Sequence, residues 1–159
     1  MHIGIDRMIS MMPEKLNNWT GGVVEQGFWC KEGKDKSGKP IYEIQSGPFA
    51  KKIWDALLET TLTLAKLGHH IVIDEVAFGK VQVDRWREYL RDYEVLWVGV
   101  SAPLSVLEKR EIARGNRLQG VARAQHATVH DGVDYDLFID TSLQDLNTIV
   151  STIAKHVKI

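Results

Sequence analysis

Three arginines are the side chains in this sequence best suited to binding a phosphate group. Arg110, Arg114 and Arg117 are spaced by four and three residues, so on a helix they share one face and repel each other. A phosphate chain would relieve this repulsion, because guanidinium groups bind phosphate oxygens through paired hydrogen bonds. Glu108, Glu111 and solvent could also neutralise the charges. The spacing therefore favours a phosphate contact and leaves an ordinary surface role open.

Carboxylates that follow short apolar runs are the candidate acids and bases. Asp74 and Glu75 follow "IVI", and Asp6 follows "IGI". A carboxylate in the position of Asp74 can orient hydrated Mg²⁺, or it can cap the next helix. Asp6 can take a proton from a substrate hydroxyl as a general base, or it can cap the helix "RMISMM", and the two roles are compatible.

Two further patterns resemble functional motifs but are predicted to be ordinary structure. "GKDKSGKP" comes close to the phosphate-binding pattern G-x-x-x-x-G-K-[ST], yet Pro40 replaces the hydroxyl residue and the flanking runs are typical of strands. It is therefore predicted to be the tip of a hairpin. His126 and His130 are four residues apart, as metal ligands can be, but no third ligand accompanies them. They are interpreted as surface histidines.

The composition narrows the class of protein. A chain of 159 residues with net charge −1 is predicted to form one domain and offers no general attraction for nucleic acid or anionic membranes. The single cysteine, Cys30, cannot form an internal disulfide, and no apolar run approaches the length of a membrane span. We therefore expect a cytoplasmic protein that neither binds nucleic acid nor enters a membrane.

The periodicity of apolar residues predicts an α/β fold in which parallel strands alternate with helices, with one inserted hairpin over residues 21–46. The predicted elements are a strand "HIGI", a helix from Asp6 towards Pro13, the hairpin, a helix Pro48–Gly68, a strand His70–Asp74, a helix "QVDRWREYLRD", a strand Val95–Val100, helices ending at Gly115 and within "QGVARAQHATVH", a strand "YDLFID" and a helix "SLQDLNTIVSTIAKHV". Ligands of parallel sheets bind beyond the carboxyl ends of the strands. This rule selects Asp6, Asp74 and Glu75, together with "SAP" after Val100 and "DTS" after Ile139.

Four runs, "RWREYL", "VLWVGV", "REIARGNR" and "HDGVDYDLFIDTS", resemble the chloramphenicol phosphotransferase family of P-loop kinases, and the resemblance extends from about Ile3 to Val157. It implies a three-layer, parallel-sheet P-loop kinase fold. It also implies transfer of the γ-phosphoryl group of ATP, with Mg²⁺, to a hydroxyl of a small molecule such as an antibiotic.

The resemblance also implies roles for individual residues. Residues 110–124 would form a lid-like segment that covers the nucleotide. The implied residues are Asp6, Arg114 and Arg117 for catalysis, with Asp6 as the base; Arg110, Arg114, Asp140, Thr141 and Ser142 for the nucleotide; Asp74 for the metal; and Met12, Glu75 and Phe78 for the acceptor.

One part of the family pattern is missing from residues 1–159, namely the first strand, the Walker A phosphate loop and the first helix. In the family this strand lies between those matching "HIVID" and "VLWVGV". Its removal would leave unpaired strand edges and favour self-association. We therefore expect either that the gene product starts upstream of Met1 or that the chain is an inactive remnant. A non-catalytic binding module and a toxin-like kinase with another acceptor are the alternatives.

Overall fold

The computed structural model of the chain describes residues 1–115 and 118–157. These residues form seven strands and six helices, with one 3₁₀ turn at Glu14–Leu16. The strands are β1 (His2–Gly4), β2 (Asn17–Asn18), β3 (Phe28–Lys34), β4 (Pro40–Ser46), β5 (Val72–Asp74), β6 (Val98–Ser101) and β7 (Leu137–Asp140). The helices are α1 (Ile5–Ser10), α2 (Pro48–Lys66), α3 (Lys80–Tyr89), α4 (Leu104–Arg114), α5 (Val121–His126) and α6 (Leu146–His156).

The strands form two parallel pairs and one three-stranded sheet. β1 pairs with β5 and β6 pairs with β7, both in parallel, while β2, β3 and β4 form the third sheet. Parallel strands alternating with helices confirm the predicted α/β class. Within the described residues, however, β5 and β6 are not paired with each other, so each keeps one open edge. That a family strand is missing between β5 and β6 stays a prediction.

The predicted hairpin is confirmed. β3 and β4 run antiparallel, with Phe28 opposite Ser46 at one end and Lys34 opposite Pro40 at the other. At the tip, the backbone N–H of Asp35 donates to the carbonyl of Lys39 over 2.9 Å. "GKDKSGKP" is therefore the end of a β-ribbon, and it lacks the strand-to-helix passage that a phosphate loop requires.

The first helix begins two residues earlier than it would if Asp6 were its N-cap. β1 passes directly into α1, whose N-cap is Gly4 with φ −163° and no capping side chain. Asp6 lies within the first turn instead, so its interpretation as an N-cap was wrong. The four strands of the two parallel pairs are also shorter than predicted: β1 ends at Gly4, and β5, β6 and β7 begin at Val72, Val98 and Leu137.

The main core lies between the β1–β5 pair and the first three helices. Its buried residues come from β1, α1, α2 and α3 and the residue after α3: Ile3, Ile5, Met8, Leu57, Leu58, Trp86 and Leu90. α2 contributes most because its apolar residues recur at helical spacing, and it starts with Pro48 at a position that needs no N–H donor. This packing fixes β1 and β5 against one helical layer.

A smaller core joins the hairpin to α2. Phe28, at the start of β3, is almost fully buried and packs with Met12 and Ala50. Its ring stacks on Trp19 at 5.8 Å between centroids and meets Trp54 edge-on at 6.2 Å. The base of the hairpin is therefore anchored in the same half of the molecule as the main core. In the described part of the chain, no helix is long and apolar enough to cross a membrane.

Candidate active site

The carboxyl ends of the two parallel pairs carry the candidate functional groups in two sets. One set, which we call the carboxylate group, consists of Asp6, Asp74 and Glu75 after β1 and β5. The other, which we call the arginine group, consists of Arg110 on α4 and Thr141 after β7. Because the strands within each pair are parallel, each set gathers at one end of its pair.

The pairing of β1 with β5 brings the carboxylate group together. Gly4 is opposite Asp74, and a Cβ added at Gly4 would overlap the backbone carbonyl of Asp74. Only glycine allows the start of α1, with Asp6, to approach the end of β5 this closely. The Asp74 carboxylate is largely exposed and lies 3.7 Å from Nε2 of His2.

Glu75 is the most unusual member of the carboxylate group. Both of its carboxyl oxygens are buried without a hydrogen-bond partner among the described residues. Burial raises the pKa of Glu75 to about 8, and the charges of Asp74 and Asp6 act in the same direction. The backbone N–H of Val76 opposes the rise but does not reach hydrogen-bond geometry. A carboxyl group that favours its protonated form thus lies beside Asp6 and Asp74.

The residues assigned to the acceptor lie around the ends of α1 and α3. Met12 is buried in the smaller core, beneath the surface. Phe78 is half-buried, and its backbone N–H donates to Oε1 of Gln82 over 2.8 Å. Gln82 also lines a cleft of about 420 Å³ between α2 and α3, whose walls include Trp54 and Trp86. Sequence reasoning missed this cleft, because its walls come from helices far apart in the chain.

The arginine group is held by a network of hydrogen bonds. Arg110 donates from Nη1 to the Thr141 hydroxyl over 2.8 Å and from Nη2 to the Thr141 carbonyl over 3.1 Å. Thr141 in turn donates from its backbone N–H and its hydroxyl to the Ser101 carbonyl at the end of β6. The structure thus brings together Arg110 and Thr141, both assigned to the nucleotide from the sequence.

The other residues of the predicted nucleotide site lie close by. Asp140 accepts hydrogen bonds from the hydroxyl and the backbone N–H of Ser142, and these bonds lower the pKa of Asp140. Arg114 is the last residue of α4, which ends at Gly115 with φ +62°. Arg117 lies outside the described residues. The predicted helix stop at Gly115 is confirmed, while the roles of these residues stay predictions.

His126 and His130, which have the spacing of metal ligands, belong to no metal-binding group among the described residues. His130 contacts the Tyr135 hydroxyl through Nδ1 at 2.9 Å, and its ring packs edge-on against Phe138. Across residues 1–115 and 118–157, no group of three or more His, Cys, Asp or Glu side chains is arranged to hold a metal ion. Asp74 remains the candidate for a contact to Mg²⁺ through water, because its carboxylate is exposed at a strand end.

The described residues fit only part of an ATP site. Arg110 carries a positive charge beside Thr141, and Asp74 carries a carboxylate at a strand end, which are the kinds of group that bind phosphate and hydrated Mg²⁺. The β- and γ-phosphates need backbone N–H groups at the turn from a strand into a helix. No strand-to-helix turn in the part of the chain described by the structure has the pattern G-x-x-x-x-G-K-[ST].

Comparison with protein families gives a match over almost the full length. A family model described as chloramphenicol phosphotransferase-like protein matches residues 1–158. No curated protein matches the chain.

Proposed function

Because the chain belongs to the chloramphenicol phosphotransferase-like family, we propose that it forms part of an ATP-dependent kinase that phosphorylates a hydroxyl of a small molecule. The observation that carries this proposal is the carboxylate group. Gly4 is opposite Asp74 in the parallel β1–β5 pair, so Asp6, Asp74 and Glu75 all lie at the carboxyl end of this pair. A base and an Mg²⁺-orienting carboxylate in close proximity are what phosphoryl transfer to a hydroxyl requires.

Each group would have a separate role. Mg-ATP, when bound, supplies the phosphoryl group. Asp6 would accept the proton of the acceptor hydroxyl, and Asp74 would orient water around the metal. Arg114 and Arg117 would neutralise charge on the transferred group, while Arg110 would hold Thr141 and Asp140 beside the nucleotide. Positioning of these groups would account for most of the catalysis.

We further propose that a parallel strand between β5 and β6 completes the site and carries the phosphate loop. Parallel strands are normally covered on both faces, yet Val72 in β5 is 66% exposed and Val100 in β6 is 54% exposed. Both strands also keep an open edge within the described chain. A strand in this gap would pair with both edges, and the turn after it would lie at the carboxyl ends beside Asp74 and Ser101.

A non-catalytic binding module is the second candidate. It is favoured by the hydrogen bonds of Arg110, which already occupy two of its guanidinium nitrogens with Thr141. In such a module Asp6 would have no chemical role, and its replacement would change no reaction.

The variant Asp6→Asn tests the enzyme, in a form of the protein that includes the proposed strand. Transfer of label from γ-labelled ATP to chloramphenicol, or to another small alcohol, should fall by about a hundredfold or more, while Mg-ATP affinity stays unchanged. Asp55→Asn, which breaks an exposed ion pair with Arg85, is the matched control. Equal transfer by Asp6→Asn and the control would refute the base assignment, and no transfer by any form would support the binding module.

A further inference from the structure

The tip of the hairpin is joined to α5 by an ion pair that is mostly shielded from solvent. Arg123 on α5 donates from Nη1 to Oδ2 of Asp35 over 3.0 Å and from Nη2 to the Glu108 carboxylate on α4. Only 15% of the Arg123 side chain is exposed. Charged pairs with this little exposure lose much more when one partner is removed than surface pairs do. Three elements far apart in the sequence therefore meet at Arg123.

Asp35 is held in place for this contact by its own turn. Its Oδ1 accepts hydrogen bonds from the backbone N–H of Ser37 over 2.8 Å, the Ser37 hydroxyl over 2.7 Å and the backbone N–H of Lys39 over 2.9 Å. These bonds, led by that of the Ser37 hydroxyl, lower the pKa of Asp35 to about 2. Oδ1 thus belongs to the turn and Oδ2 is directed at Arg123, so the turn presents a fixed, charged acceptor.

The backbone of the hairpin also fits closely against the start of α5. A Cβ added at Gly120, which has φ +110°, would lie 2.9 Å from the Pro40 carbonyl oxygen. Glu111 on α4 accepts hydrogen bonds from the backbone N–H groups of Gly120 and Ala122, each over 2.7 Å. α4, α5 and β4 are therefore locked together around Gly120.

The other end of the hairpin is anchored in the smaller core. Phe28, at its base, packs with Met12 and Ala50 in the smaller core, and Met12 is one of the residues assigned to the acceptor. The hairpin thus connects the smaller core to α5 and, through Arg123, to α4, which carries Arg110 and Arg114.

We propose that the hairpin holds α4 and α5 in position, and we call this set of contacts the brace. Arg123 is the positioning residue through which the brace acts. Arg123 touches no reacting atom. Its contacts with Asp35 and Glu108 fix the position of α4 relative to the smaller core. Arg110 and Arg114 are positioned with this helix. This inference rests on the proposed function only for its consequence in catalysis, because the brace itself is a property of the fold.

Hydrogen exchange of the full chain tests the brace without any need for activity. In Asp35→Asn, amides in residues 104–115 and 118–126 should exchange about tenfold faster or more, because a shielded charge-assisted bond is lost. Exchange in α2, at residues 48–66, should not change. An unchanged rate in both segments, or an equal rise in α2, would overturn the proposal.

Two controls separate the ion pair from other effects. Ser37→Ala loosens the turn but leaves the carboxylate of Asp35, so exchange in α5 should rise much less than in Asp35→Asn. The double variant Asp35→Asn with Arg123→Ala should exchange no faster than Arg123→Ala alone, since both remove the same contact. Additive effects would show that Arg123 does not act through the hairpin.

The kinetic consequence is measured separately. In a form that transfers phosphate, Arg123→Ala should lower kcat about tenfold at an unchanged KM for the acceptor, because the arginines are misplaced while the acceptor contacts remain. Faster exchange with unchanged kcat would refute the positioning role. If the wild-type protein transfers no phosphate, the proposed function is refuted. The hydrogen-exchange result still shows whether the hairpin holds α4 and α5 in position.

Discussion

The β1–β5 pair packs against α1, α2 and α3, whereas the β6–β7 pair is flanked by helices that bury far less. We call β1, β5, α1, α2 and α3, with the base of the hairpin, the carboxylate half. It contains both hydrophobic cores, which include the fully buried Leu57 and Phe28. In the described part of the other half, neither α4 nor α6 has a buried residue. This other half, which we call the arginine half, consists of β6, β7, α4, α5 and α6. Polar contacts hold it in place: Arg110 binds Thr141, and Arg123 binds Asp35 and Glu108. The carboxylate half can hold its shape through its own core, while the arginine half depends on its neighbours.

The largest expected difference between the halves is in how much the free energy of unfolding falls when an apolar side chain is shortened. Leu57→Ala should lower the free energy of unfolding by about 2 to 5 kcal/mol, because it leaves a cavity in the main core. Val150→Ala on α6 should cost less than about 0.5 kcal/mol, since Val150 is 56% exposed. Urea denaturation measures both. Equal losses of unfolding free energy would mean that α6 is packed as tightly as α2, and the two halves would then not differ in packing.

The second expected effect is the pH dependence of stability produced by Glu75. Folded Glu75 keeps its proton up to about pH 8, whereas the unfolded chain releases it near 4.5. The unfolded state therefore binds fewer protons between these values, and rising pH favours unfolding by roughly 1.4 kcal/mol per pH unit. Glu75→Gln should remove this slope and be the more stable protein at pH 8.

Denaturant unfolding from pH 5 to pH 8 distinguishes the outcomes. Glu88→Gln, at an exposed carboxylate paired with Arg91, is the control and should keep the wild-type slope. A slope that survives unchanged in Glu75→Gln would show that Glu75 does not produce it, and it would contradict the raised pKa of this carboxyl group.

The smallest expected effect concerns α6. Asp145 caps this helix by accepting from the backbone N–H and the hydroxyl of Thr148, each over 3.0 Å. Because α6 has little packing of its own, Asp145→Ala should speed amide exchange in residues 146–156 about fivefold without changing the melting temperature. A lower melting temperature would show that α6 contributes to global stability, which would weaken the contrast between the halves.

The sequence predicted those features of the fold that have a local signal. α2 was predicted from Pro48 and its apolar period, the end of α4 from Gly115, and the hairpin from strand-like runs around a Gly- and Lys-rich tip. Asp6 was misread as a cap, because the pattern does not show that β1 passes into α1 without a loop. The carboxyl-end rule selected Asp74, Glu75 and the turn at Asp140–Ser142.

The features that could not be predicted arise from contacts between distant residues. Asp35 and Arg123 are 88 residues apart, and nothing near either residue indicates that they meet. The desolvation of Glu75 likewise depends on the elements packed over it, whereas its neighbours in the sequence suggest an exposed strand end. The cleft between α2 and α3 depends on how Trp54 and Trp86 are placed by packing.

We propose that the two strand pairs are halves of one phosphotransfer site, completed by a strand between β5 and β6. The most direct test is thermal melting, with and without Mg-ATP, of the 159-residue chain and of a chain extended upstream in the reading frame. We predict that Mg-ATP raises the melting temperature of the extended chain alone. An equal rise for the 159-residue chain, or no rise for either, would contradict the claim.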